Sequence, residues 1–147
     1  MIVRSAVEKI FVDSNILVYN LDSREVEKQK TARRVLEEIQ NTQKPVISTQ
    51  VLQEVYNAIT TKLKIEPLAA KDVLYSLRDM EIVQLDFDII QQGIDISILS
   101  KISFWDGLII AAASSANCGT VLSEDMNHGQ IIRGVRVVNP FMCYTRV

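Results

Sequence analysis

The sequence predicts an α/β protein with a mostly parallel central sheet of about five strands and helices on both faces. Three observations carry that expectation. Short β-rich runs recur at 9–13, 45–49, 81–85, 120–123 and 134–138. Between them lie stretches with helical periodicity or capping signals, long enough for crossover helices. The first run, Lys9-Ile10-Phe11-Val12-Asp13, lacks amphipathic alternation, as expected of a strand buried on both faces.

Each element has a local reason. Residues 26–40 read as a charged amphipathic helix that buries Val35, Leu36 and Ile39. Pro45–Thr49 is the second strand, and Ser48 or Thr49 can cap the helix after it. There Val51, Val55, Ile59 and Leu63 recur every four residues. Pro67 opens a helix near 67–79, because proline suits a first helical turn. Glu81–Leu85 is the third strand, and Asp86 or Asp88 can cap the helix that follows. Ser103 starts an apolar helix, SFWDGLIIAAA, which ends at Cys118-Gly119. Thr120–Ser123 and Gly134–Val138 complete the sheet, with Pro140 closing it; about seven residues at each chain end look loose.

Bulk properties agree with one domain over residues 1–147. Of the 147 residues, 48% are hydrophobic and 23% charged, which permits a core and argues against disorder. Sixteen basic and 18 acidic residues give a net charge of −2. That balance neither requires nor excludes a nucleic-acid partner, since a basic patch can sit on a nearly neutral protein. Cys118 and Cys143 form no CxxC pair and match no zinc ligand set, so a reduced, intracellular protein is expected. No signal-peptide pattern opens the chain, and no apolar run approaches the roughly 20 residues that span a bilayer. A cytoplasmic protein without a membrane partner follows as the expectation.

Ligands of open α/β sheets bind beyond the carboxyl ends of the strands. Four acids can reach that edge. Asp13 ends the first strand, Glu54 lies early in the helix after the second, and Asp125 follows the fourth. Asp106 opens the helix that runs into the fourth strand, and a right-handed crossover puts its N-terminus at the same edge. Each acid alone has a structural explanation. Asp13 can be an N-cap, Glu54 can favour the helix dipole, Ser103-x-x-Asp106 fits a capping box, and Asp125 sits in a turn-like stretch. Together they repel and raise one another's pKa unless something positive joins them. A hard divalent cation with oxygen ligands, such as Mg²⁺ or Mn²⁺, is the usual solution, and it can activate water against a phosphodiester.

Four stretches also resemble, in order, the motifs of the PIN domain: FVDSNILVY at 11–19, ISTQVLQEV at 47–55, FWDGLIIAAA at 104–113 and LSEDMNHG at 122–129. GVRVVNPF at 134–141 is similar to the closing strand, and the likeness covers roughly residues 8–141. Length and the last acidic motif look like those of VapC, the toxin of bacterial type II toxin–antitoxin pairs. The resemblance implies a three-layer PIN-like fold and an endoribonuclease dependent on Mg²⁺ or Mn²⁺. Asp13, Glu54, Asp106 and Asp125 would be its metal-site carboxylates. Asn15 would support Asp13, and Ser123 would be a hydroxyl behind the ligands. It further implies cellular RNA, often tRNA, as substrate class, a cognate VapB-like antitoxin covering the site, and a homodimer. Gly107 departs from the alanine common in the third motif. At about 0.5–1 kcal/mol, that costs a first helical turn little.

Other readings fit less well. An aspartyl-nucleophile phosphatase wants a second Asp where Asn15 stands. A receiver module needs an acidic pair after its first strand and a lysine after its last, where Asn139-Pro140 stands. A catalytically silent PIN-fold binding protein is the closer rival, but all four acids are present. Lys62, Lys64, Arg133 and Arg136 are candidates for RNA backbone contact and equally for a solvated face. His128 reads as a hydrogen-bonded loop residue.

Overall fold

In chain order, strand β1 (Lys9–Val12) leads to helices α1 (Ser14–Leu21) and α2 (Val26–Thr42), then β2 (Lys44–Ser48). Helices α3 (Thr49–Thr61) and α4 (Pro67–Ser76) precede β3 (Glu81–Val83). Next come α5 (Phe87–Ser100), α6 (Phe104–Ser115), β4 (Thr120–Leu122), β5 (Ile131–Ile132), β6 (Val135–Val138) and α7 (Pro140–Cys143). This computed structural model describes residues 7–143, with Cys143 by its backbone alone, so the looseness expected at the chain ends falls largely outside the described residues.

The strands form one sheet in the order β3-β2-β1-β4-β6-β5, with only the β5–β6 pairing antiparallel. The mostly parallel sheet of about five strands is as expected, with six strands among the described residues. The extra one, β5, joins β6 through a two-residue turn whose Arg133 and Gly134 both have positive φ, 53° and 76°. That is the backbone of a two-residue hairpin turn, where Asn-Gly or Gly-Gly is usual, so Arg-Gly gave little warning. Pro140 begins a short helix instead of merely ending a strand.

Several caps fall where the sequence put them. Ser48 caps α3, Asp86 caps α5 and Ser103 caps α6, each accepting a backbone N–H three residues on. Strands β1, β2, β4 and β6 supply the centre of the core, including Phe11, Val46, Ile47, Val121 and Val137, all fully buried. Helix α6 is buried along Gly107–Ala113, which explains an apolar run with no polar stripe. Among the described residues no single helix is long and apolar enough to cross a membrane. Helices α5 and α6 together would be, but they meet at a bend of 118°.

That bend forces a close approach. A Cβ on Gly107 would lie 2.4 Å from the Gly93 carbonyl oxygen of α5, where backbone cannot yield. Gly107 is therefore more than a weak helix former in the place of alanine. It is the residue that lets α5 and α6 touch, one position after Asp106. A Cβ on Gly93 meets chiefly the end of the Leu108 side chain, at 2.8 Å, which can rotate. Gly107→Ala should thus destabilise by about 1–3 kcal/mol in urea unfolding, as overpacking does. Gly93→Ala should cost clearly less, and equal losses would show that the backbone contact is not the cause.

Candidate active site

The sheet reverses its direction of growth at β1, with β2 added on one side and β4 on the other. That switch point opens a crevice at the carboxyl ends of β1 and β4. Pairing of Val12 with Leu122 sets the next residues, Asp13 and Ser123, beside each other. Asp13 N donates to the Leu122 carbonyl at 3.0 Å, and Ser123 N donates to the Val138 carbonyl at 3.0 Å.

Asp13 caps a helix and faces the crevice with the same carboxylate. Its Oδ1 accepts from Ser14 N at 2.7 Å, capping α1, and its Oδ2 accepts from Ser123 Oγ at 2.7 Å. Ser123 Oγ also accepts from Asp125 N at 3.2 Å, so one buried hydroxyl joins two of the acids. Asn15 does the same with its amide. Nδ2 donates to Asp125 Oδ2 at 3.0 Å, with a longer 3.4 Å contact to Asp13, and Oδ1 accepts from Glu124 N at 3.2 Å. With both ends of the amide engaged, its orientation is fixed by its partners.

Glu54, one turn into α3, accepts from Ser14 Oγ at 2.9 Å and from Gln50 Nε2 at 3.2 Å. Gln50 Nε2 also donates to the Trp105 carbonyl at 3.2 Å, tying α3 to the start of α6. Asp106 is half-buried, and its N–H donates to Ser103 Oγ at 3.0 Å. Ser103 thus caps the helix through the Asp106 backbone, while the Asp106 carboxylate feels the charges of Asp125 and Glu54. Neither Ser14 nor Gln50 was singled out from the sequence. The i, i+4 spacing of Gln50 and Glu54 on one helix face was the signal available.

The electrostatics record how close the acids come. Burial pushes Asp13 up to about 6, opposed by the hydrogen bonds from Ser123 and Ser14 and reinforced by the charges of Glu54 and Asp125. Burial also raises Asp106, opposed by Ser103, with Asp125 and Glu54 adding to the rise. All four acids therefore lie within electrostatic reach of the cluster. Their oxygens do not close into a cage: among the described residues no three His, Cys, Asp or Glu side chains converge tightly enough to hold a metal ion.

A fifth acid, Glu124, is handled differently. Lys28 of α2 pairs with it, Tyr19 Oη donates to it at 2.7 Å, and the Lys28 ammonium lies 4.8 Å from the Tyr19 ring centre and 5.6 Å from that of Phe141. This contact pins the loop between Ser123 and Asp125 to α2. Beside the acids runs a groove of about 280 Å³ whose walls include Ser14, Asn15, Tyr19, Lys62 and Asp125. Of the basic residues considered, Lys62 lines this groove, whereas Arg133 and Arg136 lie on the β5–β6 hairpin. His128 Nδ1 accepts from Asn139 N at 3.0 Å, a loop-fixing role.

Fold and ordered acidic edge together define a PIN domain. The PIN domain family's model matches residues 10–132, and the chain belongs to that family. Among curated proteins none matches the sequence. Solved structures similar in fold include VapC20 of Mycobacterium tuberculosis, described as a sarcin–ricin loop cleaving toxin. It has a TM-score of 0.63 and 16% identity, over 79% of this chain and 91% of that one. A VapBC2 structure from Rickettsia felis, bound to a DNA fragment from their promoter, has a TM-score of 0.66 and 17% identity, over 88% and 96%. A toxin–antitoxin complex from Klebsiella pneumoniae has a TM-score of 0.66 and 20% identity, over 89% and 97%.

The raised Asp13 value has a consequence for stability. Its folded-state value lies above the ordinary 3.8, so between about pH 4 and pH 6 the native protein holds a proton that the unfolded chain has released. Metal-free stability therefore falls as pH rises through that window, and the cost persists at neutral pH. At about 1.4 kcal/mol per pH unit the cost reaches about 3 kcal/mol. Asp13→Asn drops the charge and exchanges one acceptor oxygen for an NH2 that cannot accept, so the bond from Ser14 N or the one from Ser123 Oγ is lost at every pH. In chelator, its stability relative to the native sequence should be clearly more favourable at pH 7.5 than at pH 4, because only the native Asp13 loses stability across that window. Urea unfolding at the two pH values checks this, and a constant gap rejects it.

Proposed function

We propose that the chain is a divalent-metal-dependent endoribonuclease of the VapC type, a single PIN domain that cuts cellular RNA. The observation that carries this reading is the set of acids held uncompensated at the switch point. Asp13 is buried at the edge of the core, and the charges that act on it are the negative ones of Glu54 and Asp125. The donor chemistry fits a hard cation: the ligands are carboxylate oxygens, each steadied by neutral hydroxyls or amides. The spread of the acids suits Mg²⁺ or Mn²⁺, which keep several waters of their own. Asp13, Asp106 and Asp125 would bind the ion directly or through its waters, with Glu54 completing the site. Bound there, it supplies a water of lowered pKa and neutralises charge on the scissile phosphate.

The chain's own residues do the rest. Ser123 holds the Asp13 carboxylate in one rotamer, and Asn15 holds Asp125. Ser14 and Gln50 fix both oxygens of Glu54. Lys62, in the groove beside Asp125, is placed for a phosphate of the strand being cut. The likeness to toxin–antitoxin complexes supports a cognate VapB-like antitoxin as partner; a homodimer in the cytoplasm is the working form we propose.

RNA cleavage with added Mn²⁺ is the direct test. Asp13→Asn and Asp106→Asn should each cut at least about a thousandfold more slowly, as expected when a metal's several kcal/mol of charge stabilisation is lost. Both should keep the native circular dichroism spectrum. Full cleavage by either variant, or by the native sequence in EDTA, refutes the metal-nuclease reading.

A further inference from the structure

Directly before Asp106 stands Trp105, the chain's only tryptophan, and its residue is 62% exposed. An indole in water beside a catalytic acid calls for an explanation, because helix α6 is otherwise the most deeply buried helix. Two contacts hold the residue, one at its ring and one at its backbone. Phe104 packs edge-on against it, with ring centres 5.1 Å apart and an interplanar angle of 64°. Gln50 Nε2 holds the Trp105 carbonyl at 3.2 Å while bonding Glu54 at 3.2 Å, so one side chain links this residue to the acid cluster. Both acceptors demand the Nε2 end there, which leaves Gln50 Oε1 buried without a partner among the described residues. Gln50 is thus held by the two bonds of its amide nitrogen, to Glu54 and to the Trp105 backbone.

The geometry points to Trp105 as a stacking platform for an unpaired nucleobase of the RNA strand, next to the phosphodiester that the acids address. The ligand class follows from the chemistry. An aromatic face tied to a phosphate-cutting site suits a base that stacks without sequence readout, and single-stranded RNA presents such bases splayed from the helix. Phe104 stiffens the platform, so little order is lost when a base arrives. Gln50 is a positioning residue here, setting the distance between platform and Glu54. This inference rests on the reading of the chain as an RNA-cutting enzyme.

The single tryptophan makes the test direct. Asp13→Asn protein, which binds without cutting, is titrated with a single-stranded RNA oligonucleotide and with an abasic strand of equal length, and indole fluorescence is followed. Quenching by the RNA and not by the abasic strand is the expected result. With the active protein, Trp105→Ala should raise KM for RNA about tenfold to a hundredfold, the range seen for loss of one base–aromatic stack. The kcat should change far less, and Trp105→Phe should recover part of the loss. Equal quenching by both strands, no quenching, or an unchanged KM in Trp105→Ala overturns the inference. If Trp105→Ala instead alters the sedimentation coefficient with KM intact, the indole is a contact between copies and the inference is equally overturned. Should the native sequence cut no RNA at all, the enzymatic reading fails, while base-dependent quenching still decides the platform on its own.

Discussion

Repulsion among carboxylates gathered at one sheet edge is the constraint around which this structure is arranged. A parallel sheet that changes direction at its first strand must open a crevice there, and four elements deliver an acid into it. The fold could discharge the crowding with lysine or arginine, and elsewhere it does. Glu81 bonds Lys9 and Lys44, Asp22 bonds Arg24, and Glu124 bonds Lys28. At the crevice the donors are hydroxyls and amides, from Ser14, Ser123, Asn15 and Gln50. Neutral donors orient a carboxylate without cancelling its charge, so the field that attracts a cation is preserved.

The same constraint explains why scaffold and site are hard to separate. Asp13 caps α1 with one oxygen and meets Ser123 with the other, so the start of that helix and the set of the acid are one event. Ser103 caps α6 through the N–H of Asp106. A structural role for these residues therefore leaves room for the functional one proposed for their carboxylates. Caps place the backbone, and the burial that the fold imposes then raises the pKa of the side chains it has placed.

Much of this was legible in the sequence, for identifiable reasons. Strands buried on both faces left continuous apolar runs, and Ser48, Asp86 and Ser103 announced their helices through side-chain caps. The acids could be assigned to one edge because parallel α/β connectivity fixes which ends of strands and helices coincide. What stayed hidden depends on pairs distant in the chain. Strand β5 is two residues long, with an Arg-Gly turn that departs from turn preferences. Gly107 looked like a mild helix defect until the carbonyl of Gly93 was found where its Cβ would go. Glu124 and Asp125 are adjacent acids in sequence, and partners distant in the chain tell them apart: Lys28, 96 residues away, and Tyr19 for Glu124, Asn15 for Asp125.

The β1–β4 register has a consequence for partly folded chains. Asp13 and Ser123 face each other because Val12 pairs with Leu122, and side chains alternate faces along a strand. A slip of one residue would send Asp13 to the far side of the sheet from its hydroxyl partner and break the Asn15 bridge from it to Asp125. A nascent or damaged molecule with that pairing wrong would keep its sequence, its acids and much of its helix content, yet have no assembled centre. For a protein whose proposed chemistry destroys RNA, the hydrolytic hazard is thus confined to the correctly folded molecule.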